Sequence, residues 1–261
     1  MESALLSHLG ETRSVYARDH ALIAPDGHVP SPLPAWEGAP GVVLISPAMG
    51  ARFSQTLVTL EPSDAAVVFE PLPGTEVFIY VMEGEIAPEG EGSRNLKDVL
   101  QRGDYCYLPA YSGNVRFSVR SSTKLLTFEK HFEPNGHNKM PAAVCGHSGD
   151  VEGLPFLDDP DARLQTLLPT TPEYDMAVNI FTYQPGTSLP FVETHIMEHG
   201  LLMLHGGGIY RLNQSWYPVS EGDCIWMASY CPQWFAAVGK TPARYIYYKD
   251  VNRDAISIPG R

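Results

Sequence analysis

One series of short segments occurs twice in this chain, about 120 residues apart, and that recurrence constrains the fold more than any other feature. Residues 53–60, followed by Glu61-Pro62, return as residues 176–183, followed by Gln184-Pro185-Gly186. A strand closing on Gly84 returns as Leu201–Leu204 closing on Gly206. Arg102-Gly103-Asp104-Tyr105 returns as Glu221-Gly222-Asp223-Cys224, and Phe128-Glu129-Lys130 as Tyr247-Tyr248-Lys249. A constant offset of this kind implies a duplicated unit. The unit reads as strand: residues 41–46, 52–60, 77–82, 105–108, 115–119 and 124–132 are rich in β-branched and aromatic residues and bounded by turn residues. Short strands separated by Gly/Pro turns build sandwiches or barrels, and 23 Pro and 23 Gly leave little room for long helices. The expected fold is all-β, two small barrels in tandem. Residues 1–40, broken by Pro30, Pro32 and Pro34, read as an extension packing on the barrels, and 41–133 as the first barrel. Residues 134–153, poor in apolar periodicity, read as a linker, and 154–261 as the second barrel.

Composition excludes some function classes. A net charge of −12 works against nucleic acid or an anionic membrane surface as partner and says nothing sharper, since acidic soluble enzymes are common. The four cysteines have neither metal-site nor redox spacing and are too sparse for a disulfide framework. Met1–Gly10 lacks the apolar core of a signal peptide, and no apolar run reaches the length of a membrane span, so a soluble cytoplasmic protein is expected.

Chemistry concentrates in residues 191–206, FVETHIMEHGLLMLHG, where Glu193, His195, Glu198 and His199 fall within seven residues. Single histidines are ordinarily surface or core residues, but imidazoles beside carboxylates at the mouth of an apolar strand suit a divalent metal. In a strand, residues two apart share a face, so Glu193 and His195 are expected to point together. His199 opens the next strand, with Leu201 and Met203 on its face. Glu198 is out of phase and reads as an orienting or solvated carboxylate, and His205 as a core or rim histidine. A further ligand should come from a strand distant in sequence.

Gly-bounded barrel strands with such a cluster resemble the cupins, and the duplication a bicupin, with two tandem cupin (double-stranded β-helix, jelly-roll) barrels. The usual first cupin motif sets His-x-His, then Glu, between two glycines. Here Gly186, Glu193-x-His195, His199 and Gly206 fit with one extra residue, with Glu and His exchanged. In the second motif, Gly-x5-Pro-x-Gly-x2-His, counting from Gly222 puts Ala228, Tyr230 and Gln233 at the Pro, Gly and His positions. The resemblance thus implies a metal held by Glu193, His195, His199 and Gln233. This oxygen-rich set favours Mn2+, with Fe2+ or another divalent ion as alternatives, over a closed zinc site. In the first repeat the counterparts fall near Glu70, Leu72, Glu76 and Asn114, without an imidazole, so that barrel is expected to be metal-free.

The permuted ligand order narrows the resemblance. ETHIMEHG, GGGIYRLN, WYPVSEGDCIWM and YIYYKDVNRD, with ALIAPDGHV and FSQTLVTL nearer the start, resemble the (S)-ureidoglycine aminohydrolase family of purine and allantoin degradation. The implied reaction takes (S)-ureidoglycine, a small ureide, and water to (S)-ureidoglycolate and ammonia. Water must lose a proton and the leaving amine gain one, so an acid/base group must sit by the metal. Tyr245, Tyr247 and Lys249 share a strand face that can enter the barrel, and Lys249 is the candidate. The resemblance implies substrate contacts from Glu193, Tyr210, Tyr245 and Lys249, and a homo-oligomer as is common among bicupins. For Asp250, Asn252, Arg253 and Asp254 it implies no physical role, though Arg253 suits either a substrate carboxylate or an anchor for the C-terminus. Two other readings fit a cupin: a metal dioxygenase, which needs O2, and a bicupin that binds a small ligand without turnover.

Overall fold

The structure, a computed structural model, describes residues 12–63, 65–94, 96–135 and 139–254. The reading of Met1–Gly10 lies outside these residues. Strand dominates, and among the described residues helix is limited to short 3-10 turns such as Pro25–Gly27 and Pro47–Met49. No helix among them is long and apolar enough to cross a membrane.

The duplication is explicit in the strand order. Neighbours in the first repeat run Asp104–Leu108, Thr75–Glu83, Thr123–His131, Ser54–Leu60. In the second they run Cys224–Met227, His199–His205, Ala243–Asp250, Met176–Tyr183, the same order. Each block is complemented by a smaller set. Glu85–Glu89 pairs with Val115–Val119 and Leu100–Gln101, and Gly207–Leu212 with Ser215–Ser220 and Gln233–Ala237. Single hydrogen bonds repeat as well. Gly103 N–H donates to the Val81 carbonyl at 2.9 Å, and Gly222 N–H to the Met203 carbonyl at 2.9 Å. The Gln101 and Ser220 N–H groups donate to Asp104 and Asp223 at 2.9 and 2.8 Å. Gly103 and Gly222 have φ of 89° and 87°, a left-handed turn that glycine adopts without a Cβ penalty. That requirement explains why Gly-Asp recurs at this point.

Each repeat lends a strand to the other. His20–Ile23 pairs with Cys224–Met227 of the second repeat, and Val144–His147 pairs with Asp104–Leu108 of the first. The stretch 134–153 thus contains a strand, and Trp36–Ile45 begins before residue 41. Val144–His147 is short and ends in Gly146 and His147, so no periodicity marked it. The second exchange sets Cys106 opposite Cys145, and the two are bonded with Cα atoms 4.2 Å apart. The cysteines make no framework, but they do include one disulfide that sequence spacing did not reveal. Cys224 and Cys231 are free and buried.

Period-two alternation divides the core. Val77, Ile79 and Val81 join one cluster inside the first barrel, while Phe78 and Tyr80 join a cluster shared by both repeats. In the second repeat Leu201, Met203, Tyr245 and Tyr247 fill the barrel, and Leu202, Ile246 and Tyr248 face the first repeat. Both faces of these strands are covered, which is why they read as continuous apolar runs. Contact between repeats is close at Gly200, where a Cβ would lie 2.4 Å from the Phe53 ring. On these strands odd-numbered residues enter the barrel and even-numbered ones meet the first repeat.

Glu76 illustrates the cost of polar groups at that junction. Its carboxylate is fully buried and accepts from the Tyr107 hydroxyl, near Asp175, which is bonded by Lys130 and by the Glu133 N–H at 2.8 Å. Leu72, another counterpart of a ligand position, is instead 74% exposed. Burial, and then the Asp175 carboxylate, hold the Glu76 carboxyl well above the ordinary range. An acid whose folded pKa is raised contributes stability at low pH that is lost as pH rises through the folded value. Glu76→Gln keeps the acceptor for Tyr107 and cannot ionise. It is expected to flatten the fall in melting temperature as pH rises above the ordinary carboxylate range; a fall as steep as the unaltered protein's would contradict this.

Candidate active site

His195, His199 and Gln233 come together at one mouth of the second barrel, and Glu193 lines the same cavity beside His199 and Gln233. His199 opens the strand His199–His205, in register with Lys249, and Gln233 opens Gln233–Ala237. Residues 190–198 form a loop, so Glu193 and His195 do not share a strand face as expected from the sequence. Two other devices hold them. Glu193 and Gln233 exchange backbone hydrogen bonds of 2.8 and 2.9 Å, and Tyr230 N–H donates to the His195 carbonyl at 2.7 Å. Tyr230 sits at φ 63°, in the place of the motif glycine. A left-handed residue with a Cβ costs about 1–2 kcal/mol, which the bond to His195 helps offset.

The imidazoles converge. His195 Nδ1–H donates to the Met197 carbonyl at 3.1 Å, which leaves its Nε2 with a lone pair. That Nε2 lies 3.2 Å from His199 Nε2 and 3.1 Å from the Gln233 amide nitrogen. Turning the Gln233 amide over would present its carbonyl oxygen to the same point, with the Tyr210 hydroxyl, 3.2 Å from Oε1, as its partner either way. Two nitrogens bound to one divalent ion at about 2.1 Å stand about 3.0–3.4 Å apart, so the separation fits shared coordination.

Electrostatics suit the same use. Burial, and then the positive charges of His195 and Lys249, push His199 well below the ordinary histidine range. Burial and Lys249 lower His195 as well. Neutral imidazole is the form that binds metal. Burial raises the Glu193 carboxyl, against the pull of Lys249. Burial lowers Lys249, against Glu193 and Asp250. Lys249 is half-buried, on the same strand face as the barrel-filling Tyr245 and Tyr247. Tyr210 and Tyr245 are buried and raised by burial, so both hydroxyls remain donors. Together with Tyr247 they line a cavity of about 30 Å³ under His199 and Gln233, room for about one water. Tyr247 also stacks on His199, ring centres 5.5 Å apart.

Other residues of the sequence reading sort themselves. Glu198 is buried and accepts from Trp226 Nε1 at 2.7 Å. His205 is an exposed rim residue, 3.3 Å from Glu221. Arg253 donates to the carbonyls of Glu133, Pro172, Asn252 and Glu173, so it anchors the C-terminal segment away from the site. Asp19, His20 and Cys231 also bring possible metal-binding atoms within 4.8 Å of one another. There, however, His20 is engaged at both nitrogens, by Asp19 at 2.8 Å and the Tyr217 hydroxyl at 2.9 Å, and Asp19 also accepts from Asn213. A larger cavity of about 590 Å³ lies at the far end of His199–His205, lined by Leu204, His205 and Arg244, by Tyr80 and Arg102 of the first repeat, and by His147 of the strand paired with it. It holds none of the converging groups.

The sequence reading did not find Arg52, which reaches Glu198 and Asp250 from the first repeat. Only the docking of the two repeats brings it near, and no motif carries that signal.

Comparison with known proteins bears on the fold and the family. Residues 179–248 match the family model described as Cupin domain. Over 95% of its length the chain is 44% identical to 78% of the probable (S)-ureidoglycine aminohydrolase of Oryza sativa subsp. japonica. It is 33% identical over 90% of its length to the (S)-ureidoglycine aminohydrolase of Escherichia coli (strain K12), covering 89% of that protein. The crystal structure of protein Ylba from E. coli superposes with a TM-score of 0.80 at 30% identity, over 95% of this chain and 98% of that one. With a duplicated barrel and relatives matched over most of their length, this chain belongs to the (S)-ureidoglycine aminohydrolase family of bicupins.

Proposed function

We propose that this chain is a metal-dependent hydrolase that releases ammonia from (S)-ureidoglycine to give (S)-ureidoglycolate, a step of purine and allantoin degradation. The observation that carries the reading is the meeting of His195, His199 and Gln233 within 3.2 Å contacts, beside a lysine that burial makes more acidic. The names of the matched relatives supply the substrate. In this reading Glu193, His195, His199 and Gln233 hold Mn2+, or Fe2+ or another divalent ion. When bound, such an ion supplies positive charge that draws in the substrate carboxylate and fixes one face of the reacting carbon.

The chain's own groups do the rest. Tyr210 and Tyr245, protonated and buried, donate hydrogen bonds to the substrate's polar atoms. The aromatic lining excludes bulk water, which strengthens these contacts. Lys249 in its amine form takes a proton from the attacking water and, as ammonium, gives a proton to the departing amine. A C–O bond forms and a C–N bond breaks, so the lysine ends as it began.

The test is ammonia release from freshly made ureidoglycine by Mn2+-loaded protein, with and without oxygen and with and without a chelator. Release above a protein-free control, equal in air and under nitrogen and lost on chelation, is expected. Release only in air would favour oxygenase chemistry. Metal loading without any release would reduce the protein to a binding module.

A further inference from the structure

Four observations place one residue of the first repeat behind the candidate site. Because His199 and Lys249 enter the barrel, their neighbours Glu198 and Asp250 face the first repeat, and there both meet Arg52. The Arg52 backbone N–H and Nε–H donate to Glu198 Oε2 at 3.0 and 3.3 Å. Its Nη2 donates to Asp250 Oδ2 at 2.6 Å and to Ser229 Oγ at 3.2 Å. Asp250 Oδ1 in turn accepts from the Glu198 N–H, so the strands carrying His199 and Lys249 are tied to each other and to Arg52. Ser229 leads into Tyr230, whose N–H holds the His195 carbonyl at 2.7 Å.

We propose that Arg52 is a positioning residue, a latch from the first repeat that fixes the spacing of His199, Lys249 and the His195 loop. The inference rests on the reading of these residues as a metal-dependent active site. A guanidinium suits this place because its fixed, planar fork spreads donors from Nε, at Glu198, to Nη2, at Asp250 and Ser229, a span that the single nitrogen of an ammonium does not cover. Its carboxylate partners explain the acidic neighbours on both chemical residues. Glu198 is buried, its second oxygen held by Trp226, so its orientation is fixed on both sides. The latch is anchored by packing, since the next residue, Phe53, stacks on Tyr248 at 4.1 Å and fills the space left by Gly200. Arg52 itself is half exposed and lies on the far side of the strands from the barrel interior. It acts through the strands and does not touch the reacting atoms. The first repeat, which offers no imidazole at its own ligand positions, thereby contributes to the site of the second.

The test uses the full chain with Arg52→Met and Arg52→Lys. Mn2+ titration, read from the electron paramagnetic resonance signal of the free ion, should show affinity weakened by about 10- to 100-fold in Arg52→Met, the usual effect of losing a group that orients ligands. In the ammonia assay kcat should fall by about tenfold or more with KM changed less than threefold, because alignment is lost and substrate contacts remain. Arg52→Lys should recover part of both effects. Unaltered Mn2+ affinity and kcat in Arg52→Met would overturn the latch. If Arg52→Met fails to fold, Arg52→Lys decides: weakened Mn2+ affinity at a near-normal melting temperature supports it, and unaltered affinity overturns it. The titration needs no turnover. Failure of the unaltered protein to act on ureidoglycine would count against the proposed reaction and leave the latch to be judged by metal affinity.

Discussion

His195→Ala is expected to abolish bound metal and ammonia release together. His195 is the hub of the site: its Nε2 lies 3.2 Å from His199 Nε2 and 3.1 Å from the Gln233 amide. Its Nδ1–H is already committed to the Met197 carbonyl, so the tautomer that exposes the lone pair is set by the loop. Alanine removes the lone pair and the ring that fixes Gln233, but keeps the carbonyl bonded to Tyr230 N–H. The fold should therefore persist, with a stability change of about 1 kcal/mol for each side-chain hydrogen bond lost at Nδ1 and Nε2. Removing an orienting neighbour of a ligand weakens metal binding by about 10- to 100-fold, and removing a ligand should exceed that. Metal content per chain, measured beside ammonia release, checks the result. A metal-free His195→Ala protein with full activity would falsify the site.

Much of this centre was legible in the sequence because the resemblance to the cupin motifs supplied a ruler. Counting from Gly186 and Gly222 led to Glu193, His195, His199 and Gln233, which the fold brings to one mouth. Gly103 and Gly222 both need a left-handed turn, so they survive as visible marks of the repeat. Strand alternation likewise gave the inward face of Tyr245, Tyr247 and Lys249.

The rest depended on pairings between distant segments. The loop 190–198 has no ladder of its own and is held by backbone bonds to Gln233 and Tyr230, so a strand-face argument failed there, although His195 does meet His199 and Gln233. The exchange of His20–Ile23 and Val144–His147 between repeats, and with it the Cys106–Cys145 bond, follows from topology that neither segment's composition encodes. Arg52 was invisible for the same reason. Glu198 and Asp250 were noted as out of phase or unexplained, and their partner lies some 150 to 200 residues away in the chain.

Lys249→Met is expected to leave Mn2+ bound and to slow ammonia release by at least about 100-fold, the usual scale for losing an acid/base group. Methionine keeps much of the length and apolar stem of lysine, so the barrel-facing strand Ala243–Asp250 should pack as before. None of the four proposed ligands is altered, which separates this variant from His195→Ala. The direction of the lysine's shift matters here. Burial lowers its pKa from the ordinary lysine value while Glu193 and Asp250 hold it back, so the amine form is more accessible than in a surface lysine. A purely electrostatic role, such as pairing with the substrate carboxylate, would need only the positive charge. Lys249→Arg distinguishes the two, because a guanidinium keeps the charge but does not give up its proton near neutrality. If Lys249 moves protons, Lys249→Arg should remain slow at saturating substrate, with its loss in kcat and not chiefly in KM. Near-normal turnover in either variant would take proton transfer away from Lys249 and leave it a binding role.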